Sequence, residues 1–158
     1  MDDEFFMHEA LNEAKLAFDK EEVPVGAVLV CNGQIISRAH NLVETLQDAS
    51  AHAELLCLRQ SSSIIGNWRL NQATLYCTLE PCCMCAGAMI LSRLSCLVWS
   101  APDLRQGAHG SFLNVLDAPH PIHRLTVRKG VLHQESALLM REFFKLQRKK
   151  KDDRKTIR

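Results

Sequence analysis

Two short segments carry residues able to hold a metal ion and activate water: Ala51-His52-Ala53-Glu54, and Glu80-Pro81-Cys82-Cys83-Met84-Cys85. Cys82 and Cys85 are three positions apart, which on a helix places both thiolates on one face, within reach of one ion. With His52 they make three soft or borderline ligands, a set that suits tetrahedral zinc and leaves a fourth position for water. The open position separates a catalytic zinc from a structural one. A neutral imidazole and two thiolates balance the charge of Zn²⁺, so water bound there can ionise near pH ~7. Glu54 lies two residues from His52, and the two share no face inside a helix. They can approach one centre only if it lies beyond the helix end, where first-turn side chains fan around the axis. Glu54 would then face the water without binding zinc, take its proton and pass it to a substrate nitrogen, as hydrolytic deamination of a base requires.

Each piece has a simpler reading. A Cys-x-x-Cys alone serves equally as half of a structural zinc site or as a redox pair, and His-x-Glu alone carries almost no information. Their order, and the placement of both at predicted helix starts, favour catalysis. Helix N-termini stabilise thiolates and so promote metal capture at neutral pH. A four-ligand structural site would need Cys83, Cys57 or Cys77 to join. Cys83 should point away from its neighbour Cys82, while Cys31, Cys57, Cys77 and Cys96 sit in apolar contexts and are predicted core thiols.

The elements that must position these residues follow from periodicity. Phe6, Ala10, Ala14, Ala17 and Phe18 recur at helical steps and predict a first helix with an acidic outer face, ending before Pro24. Val25–Cys31 and Gln34–Ser37 predict two antiparallel strands joined by Asn32-Gly33, a strong hairpin signal. Positions 40–50 predict a loop, and Ser50 a cap for a helix from about Ala51 to Gln60 that stops at Ser61-Ser62-Ser63. A buried strand is expected over Ala73–Thr78, then a helix with Pro81 at its first position. Further strands are expected over Cys96–Trp99 and Leu125–Val131, and a final helix from Glu135 to about Lys150. Helices separated by near-continuous apolar strands predict one α/β/α layered domain with a mixed sheet covered on both faces.

At 158 residues the chain is the size of one domain and can bury about two-thirds of its unfolded surface. A hydrophobic share of 47% with 23% charged residues excludes a disordered or fibrous chain. The domain is predicted to span 1–150, with a basic tail over 151–158. The net charge of +1 hides a gradient: residues 141–158 carry nine bases against three acids, leaving the rest at −5. Seven cysteines, three of them within positions 82–85, do not match a secreted disulfide framework and suit a reducing compartment or a metal site. The acidic start Met-Asp-Asp-Glu does not match a signal peptide, and a cytoplasmic protein is expected.

His-x-Glu followed by Pro-Cys-x-x-Cys is the signature of zinc deaminases. Beyond it, Glu22-Val-Pro-Val-Gly-Ala-Val-Leu-Val30, Ala73-Thr-Leu-Tyr76, Thr78-Leu-Glu-Pro-Cys82, Met84-Cys-Ala-Gly-Ala-Met89 and Phe143-Phe144 with the bases after them resemble the bacterial tRNA-specific adenosine deaminases, a branch of the zinc-dependent cytidine/deoxycytidylate deaminase family. The resemblance runs from the first helix to about residue 150. It implies a three-layer α/β/α cytidine-deaminase-like fold with a central mixed five-stranded sheet, one zinc per subunit and a homodimer. It further implies conversion of adenosine to inosine at the wobble position of a tRNA anticodon stem-loop, that of the arginine tRNA with a wobble adenosine.

Carried over by position, His52, Cys82 and Cys85 would hold the zinc and Glu54 would shuttle the proton. Asn41 would hold the target base, since an amide offers adenine both a donor and an acceptor; a turn-stabilising Asn after a strand is the other reading. Asp103 would lie near the anticodon ribose, or be a solvated loop residue. Two departures stand out: Asp48-Ala49-Ser50 replaces the usual Asp-Pro-Thr, removing a constraint on the loop before His52, and Cys83 occupies a commonly apolar position.

Zinc chemistry alone does not choose the substrate, and a deaminase of a free cytosine- or guanine-type base or nucleoside would use the same centre. Phe143, Phe144, Lys145 and Arg148 favour RNA, because an anticodon loop offers phosphates to bases and flipped nucleotides to aromatics. A solvated, frayed tail is the plain alternative for 149–158. A non-catalytic RNA-binding module stapled by zinc is a third reading, against which Glu54 stands.

Overall fold

The computed structural model describes residues 2–157. In chain order they form α1 (Asp3–Asp19), β1 (Gly26–Cys31), β2 (Gln34–His40), α2 (Val43–Leu46), α3 (Ala53–Ile65), β3 (Ala73–Leu79), α4 (Cys83–Leu91), β4 (Cys96–Ala101), β5 (Thr126–Lys129) and α5 (His133–Thr156). The five strands make one sheet in the order β2-β1-β3-β4-β5. β1 is antiparallel to β2 and β3, whereas β3, β4 and β5 run parallel, so the sheet is mixed as predicted.

Strand alternation assigns the two faces. Val28, Val30, Tyr76 and Val98 pack with Phe6, Met7 and Ala10 of α1. Their neighbours Ala27, Leu29, Leu75, Cys77, Leu97 and Trp99 face the other way, onto Ala53, Cys57, Ala86 and Met89 of α3 and α4. Side chains one residue apart on a strand point to opposite faces, so runs without polar residues are what a doubly covered sheet requires. α5 lies against β4 and α1, with Phe143 edge-on to Phe18. The approach of α1 to β1 is close enough that a Cβ on Gly26 would stand 2.0 Å from the Ala10 carbonyl oxygen, so only glycine fits there. Asp3 accepts from the Tyr76 hydroxyl at 2.8 Å and from Arg128 at 2.8 and 2.9 Å, tying α1 to β3 and β5.

Several boundaries differ from the sequence prediction, each for a physical reason. The β1–β2 turn is as expected, Asn32 and Gly33 both having positive φ. The predicted loop over 40–50 contains a strand end and the short α2. The helix expected from Ala51 begins at Ala53 with His52, not Ser50, as its N-cap. Ser50 instead donates from its N–H and hydroxyl to Asp48 Oδ1 at 2.8 and 2.7 Å. Those bonds, with Leu42 N–H to Ala51 O at 3.0 Å, brace the loop where a proline is absent. Nor does α3 stop at the three serines. Ser61 is buried and bonds Ser37, so tertiary contact carries the helix on to Gly66, a left-handed C-cap.

Pro81 precedes α4, whose N-cap is Cys82; backbone pairing of Cys82 with Gly107 and of Pro81 O with Ala108 N–H keeps this stretch extended. β5 is shorter than expected and α5 longer, running through Thr156 across most of the predicted tail. No proline or glycine interrupts residues 133–156, and basic side chains near a helix C-terminus complement its dipole. Cys57, Cys77 and Cys96 are buried as predicted, but Cys31, at the end of β1, is partly exposed.

Candidate functional site

Both segments singled out in the sequence end as N-caps: His52 opens α3 and Cys82 opens α4. The backbone is extended at each cap, and the side chains of the two caps meet. The Nδ1 atom of His52 lies 3.6 Å from Cys82 Sγ and 3.5 Å from Cys85 Sγ, and the three ligand atoms fall within 4.8 Å of one another. Bond lengths of about 2.0–2.1 Å to nitrogen and 2.3 Å to sulfur put the edge of a zinc tetrahedron at roughly 3.6 Å. The trio therefore fits zinc. Among the described residues it is the one group of three or more His, Cys, Asp and Glu side chains so arranged. Cys83 is exposed, and Cys57 bonds Ser37, so neither joins it.

The electrostatics agree with a thiolate–imidazole cluster. The Cys85 thiol beside Cys82 lowers the Cys82 pKa well below the ordinary thiol value, and His52 adds to the effect. The same contact, with burial, raises Cys85, while the Cys82 sulfur raises His52. Glu54 is 4% exposed, in the first turn of α3. Burial raises its carboxyl pKa above the usual range, partly offset by its own backbone and by His52. A carboxyl shifted toward neutrality is suited to gaining and losing a proton at working pH.

A cavity of about 370 Å³ opens beside this cluster, lined by His52, Glu54 and Cys82 together with Asn41, Asp103 and Phe144. The structure thus brings every residue carried over from the resemblance to one cavity except Cys85, which is buried behind it. Asn41 follows β2 directly, donating to Val23 O and accepting from Val43 N–H, each at 3.3 Å. The amide thus steadies the turn, and it stands in the cavity wall. Asp103 accepts from Arg105 and Gln106 N–H at 3.1 and 3.2 Å. Phe144 sits one turn after Met140 on α5, and both reach the cavity; Phe143 is core.

Sequence reasoning gave no role to two buried carboxylates in the wall, Glu22 and Glu80, each 1% exposed. Glu22 accepts from Glu44 N–H at 3.0 Å and Thr45 N–H at 2.7 Å, capping α2 from a distance. Glu80 accepts from the loop that carries Asp103. The only sequence hint was an acid placed beside an otherwise apolar strand.

Burial alone would raise the Glu22 carboxyl, but the Thr45 and Glu44 hydrogen bonds outweigh it and leave its pKa below the ordinary 4.5. The Arg128 hydrogen bond chiefly lowers Asp3 below 3.8. A depressed carboxylate stabilises fully above its unfolded pKa, and that contribution is lost as pH falls through the folded value. Urea midpoints are therefore expected to drop below about pH 4.5. Glu54, being raised, acts in the opposite sense above its ordinary value, so the variants Glu22→Gln and Asp3→Asn are compared with the parent. Each is expected to show a shallower acid limb; superimposable acid limbs would contradict the assignment.

Residues 1–101 match the zinc-binding region of cytidine and deoxycytidylate deaminases. The tRNA-specific adenosine deaminase of Bacillus subtilis (strain 168) is 49% identical over 98% of this chain and 97% of its own length. The chloroplastic tRNA(adenine(34)) deaminase of Arabidopsis thaliana is 50% identical over 91% of this chain, which spans only 12% of that longer protein. A solved structure from work on A-to-I editing by tRNA:A34 deaminases superposes with a TM-score of 0.82 at 41% identity, covering 85% of this chain and 98% of the other. With a mixed five-stranded sheet and a His/Cys/Cys cluster already in place, these likenesses make the chain a member of the zinc-dependent cytidine/deoxycytidylate deaminase family, in the branch of the tRNA-specific adenosine deaminases.

Proposed function

We propose that this protein hydrolytically deaminates adenosine to inosine at the wobble position of a tRNA anticodon, releasing ammonia. The observation that carries the reading is one cavity lined by His52 and Cys82 of the metal-ligating trio, a buried carboxyl, an amide and the aromatic edge of a basic helix. His52, Cys82 and Cys85 would hold the zinc, which when bound supplies a Lewis acid that makes water a usable nucleophile near neutral pH. Glu54 would take one proton from the attacking water and give it to the adenine ring nitrogen beside C6, then carry the second, from the new C6 hydroxyl, to the C6 amino group, which leaves as ammonia while C6 becomes the carbonyl of inosine. Asn41 spends one donor and one acceptor on backbone groups; an amide has another of each, enough to hold an adenine edge.

The reading extends to RNA through α5. Lys145, Arg148, Lys149, Lys150, Lys151, Arg154 and Lys155 are all exposed on this helix, past Phe144 at the cavity. A deaminase of free bases has no need of a helix with this charge, whereas an anticodon stem-loop presents phosphates along it. We place the enzyme in the cytoplasm as a homodimer acting on the arginine tRNA with a wobble adenosine, with 1–150 as the deaminase domain and 151–158 as a basic tail whose residues 151–156 extend α5. No helix among the described residues is long and apolar enough to cross a membrane.

Truncation after Gln147 tests the RNA reading. Each lost phosphate contact should reduce the slope of log affinity against log salt by about 0.7–0.9, so anticodon stem-loop binding is expected to weaken at least about tenfold at low salt, with a flatter slope. An unchanged affinity and slope would remove α5 from the RNA interface.

A further inference from the structure

Glu80 ends the run from β3 into the metal-binding segment, is buried, and takes no part in the chemistry above. Its carboxylate accepts from the N–H of Asp103 at 3.3 Å, of His109 at 2.9 Å and of Ser111 at 3.3 Å, and from the Ser111 hydroxyl. All four donors belong to one loop. Gly107 of that loop lies so close over the carboxylate that a Cβ would stand 2.3 Å from it and 2.5 Å from the Asp103 carbonyl oxygen. The backbone repeats the connection: Glu80 N–H donates to Ala101 O and Ala108 N–H to Pro81 O, both at 2.8 Å, and Cys82 pairs with Gly107. Asp103, Arg105 and Gln106 of the same loop line the cavity, as does Asn41.

We infer that Glu80 is a positioning residue for substrate binding: it fixes the 103–111 loop at a set height over the cavity, and so governs how tightly the RNA is held. A buried carboxylate satisfied by one loop holds that loop more firmly than neutral partners could, because hydrogen bonds to a charged group are about twice as strong. The side chain is taken up by the backbone amides of Asp103, His109 and Ser111 and by the Ser111 hydroxyl. This inference rests on the RNA-deaminase reading for its kinetic consequence, but not for its structural one.

Two variants of the full-length protein test it. Glu80→Gln replaces one acceptor oxygen by an amide donor facing the loop's N–H groups, while Gly107→Ala displaces the loop and leaves the carboxylate intact. Glu80→Gln is expected to keep the parental zinc content and kcat within about twofold, and both variants to raise KM for an anticodon stem-loop RNA roughly tenfold, the pattern of lost ground-state binding. Amide hydrogen exchange at Asp103, His109 and Ser111 is expected to accelerate at least about tenfold, with the α3 amides unchanged. A lower kcat or zinc content with an unchanged KM would overturn the inference, as would parental exchange rates in both variants. If the parent proves inactive on RNA, the functional reading fails by itself, and exchange confined to 103–111 still decides the role of Glu80. Should Glu80→Gln not fold, Gly107→Ala carries the same two readouts.

Discussion

Replacing Glu54 with alanine is expected to lower kcat by about 10²–10⁴-fold, the usual contribution of a positioned general acid–base, while zinc content and RNA affinity stay at the parental level. The ligand trio is complete without Glu54, so the metal has no reason to leave. The carboxyl is buried in the first turn of α3, so its removal takes away a proton carrier and leaves the basic surface of α5 untouched. Glu54→Gln sharpens the test by keeping shape and polarity without the ability to accept a proton at working pH. Metal analysis, filter binding with an anticodon stem-loop and single-turnover inosine formation separate the three quantities. Undiminished turnover in either variant would remove Glu54 from the mechanism.

The second large effect belongs to the ligands. His52→Ala, Cys82→Ala and Cys85→Ala are each expected to strip zinc to a small fraction of the parental content and to abolish deamination. Two remaining ligands cannot complete a tetrahedral site that keeps one position open. Because the trio bridges the N-termini of α3 and α4, metal binding should also stabilise the fold, and a chelator is expected to lower the melting temperature of the parent and not of these variants. Cys83→Ala is the matched control: Cys83 is adjacent in sequence yet exposed, and its loss should leave zinc content unchanged. Parental zinc in any of the three ligand variants would exclude that residue.

Much of the site was legible because its residues lie close to one another in the chain or recur at fixed steps. The His52-x-Glu54 and Cys82-x-x-Cys85 pairs each sit within a single helical turn, and the Asn32-Gly33 turn announces its own geometry. What the sequence hid depends on distant partners. The short α2 exists because the carboxylate of Glu22 caps it from 22 residues away. Continuation of α3 through Ser61 depends on Ser37 of β2, against the local preference of serine for helix ends. The extended backbone at Pro81 and Cys82 comes from pairing with residues 107 and 108, which no local rule indicates. For the same reason the role of Glu80 was invisible: its donors lie 23 to 31 residues downstream.

The most direct test is to incubate the purified zinc-loaded protein with total bacterial tRNA and, separately, with free adenosine and free cytosine, and to read inosine and uracil products by position and by mass. The expected result is inosine at the wobble position of an arginine tRNA, absent with Glu54→Ala, and no turnover of the free compounds at comparable rates. Deamination of free adenosine or cytosine with tRNA left unmodified would contradict the account.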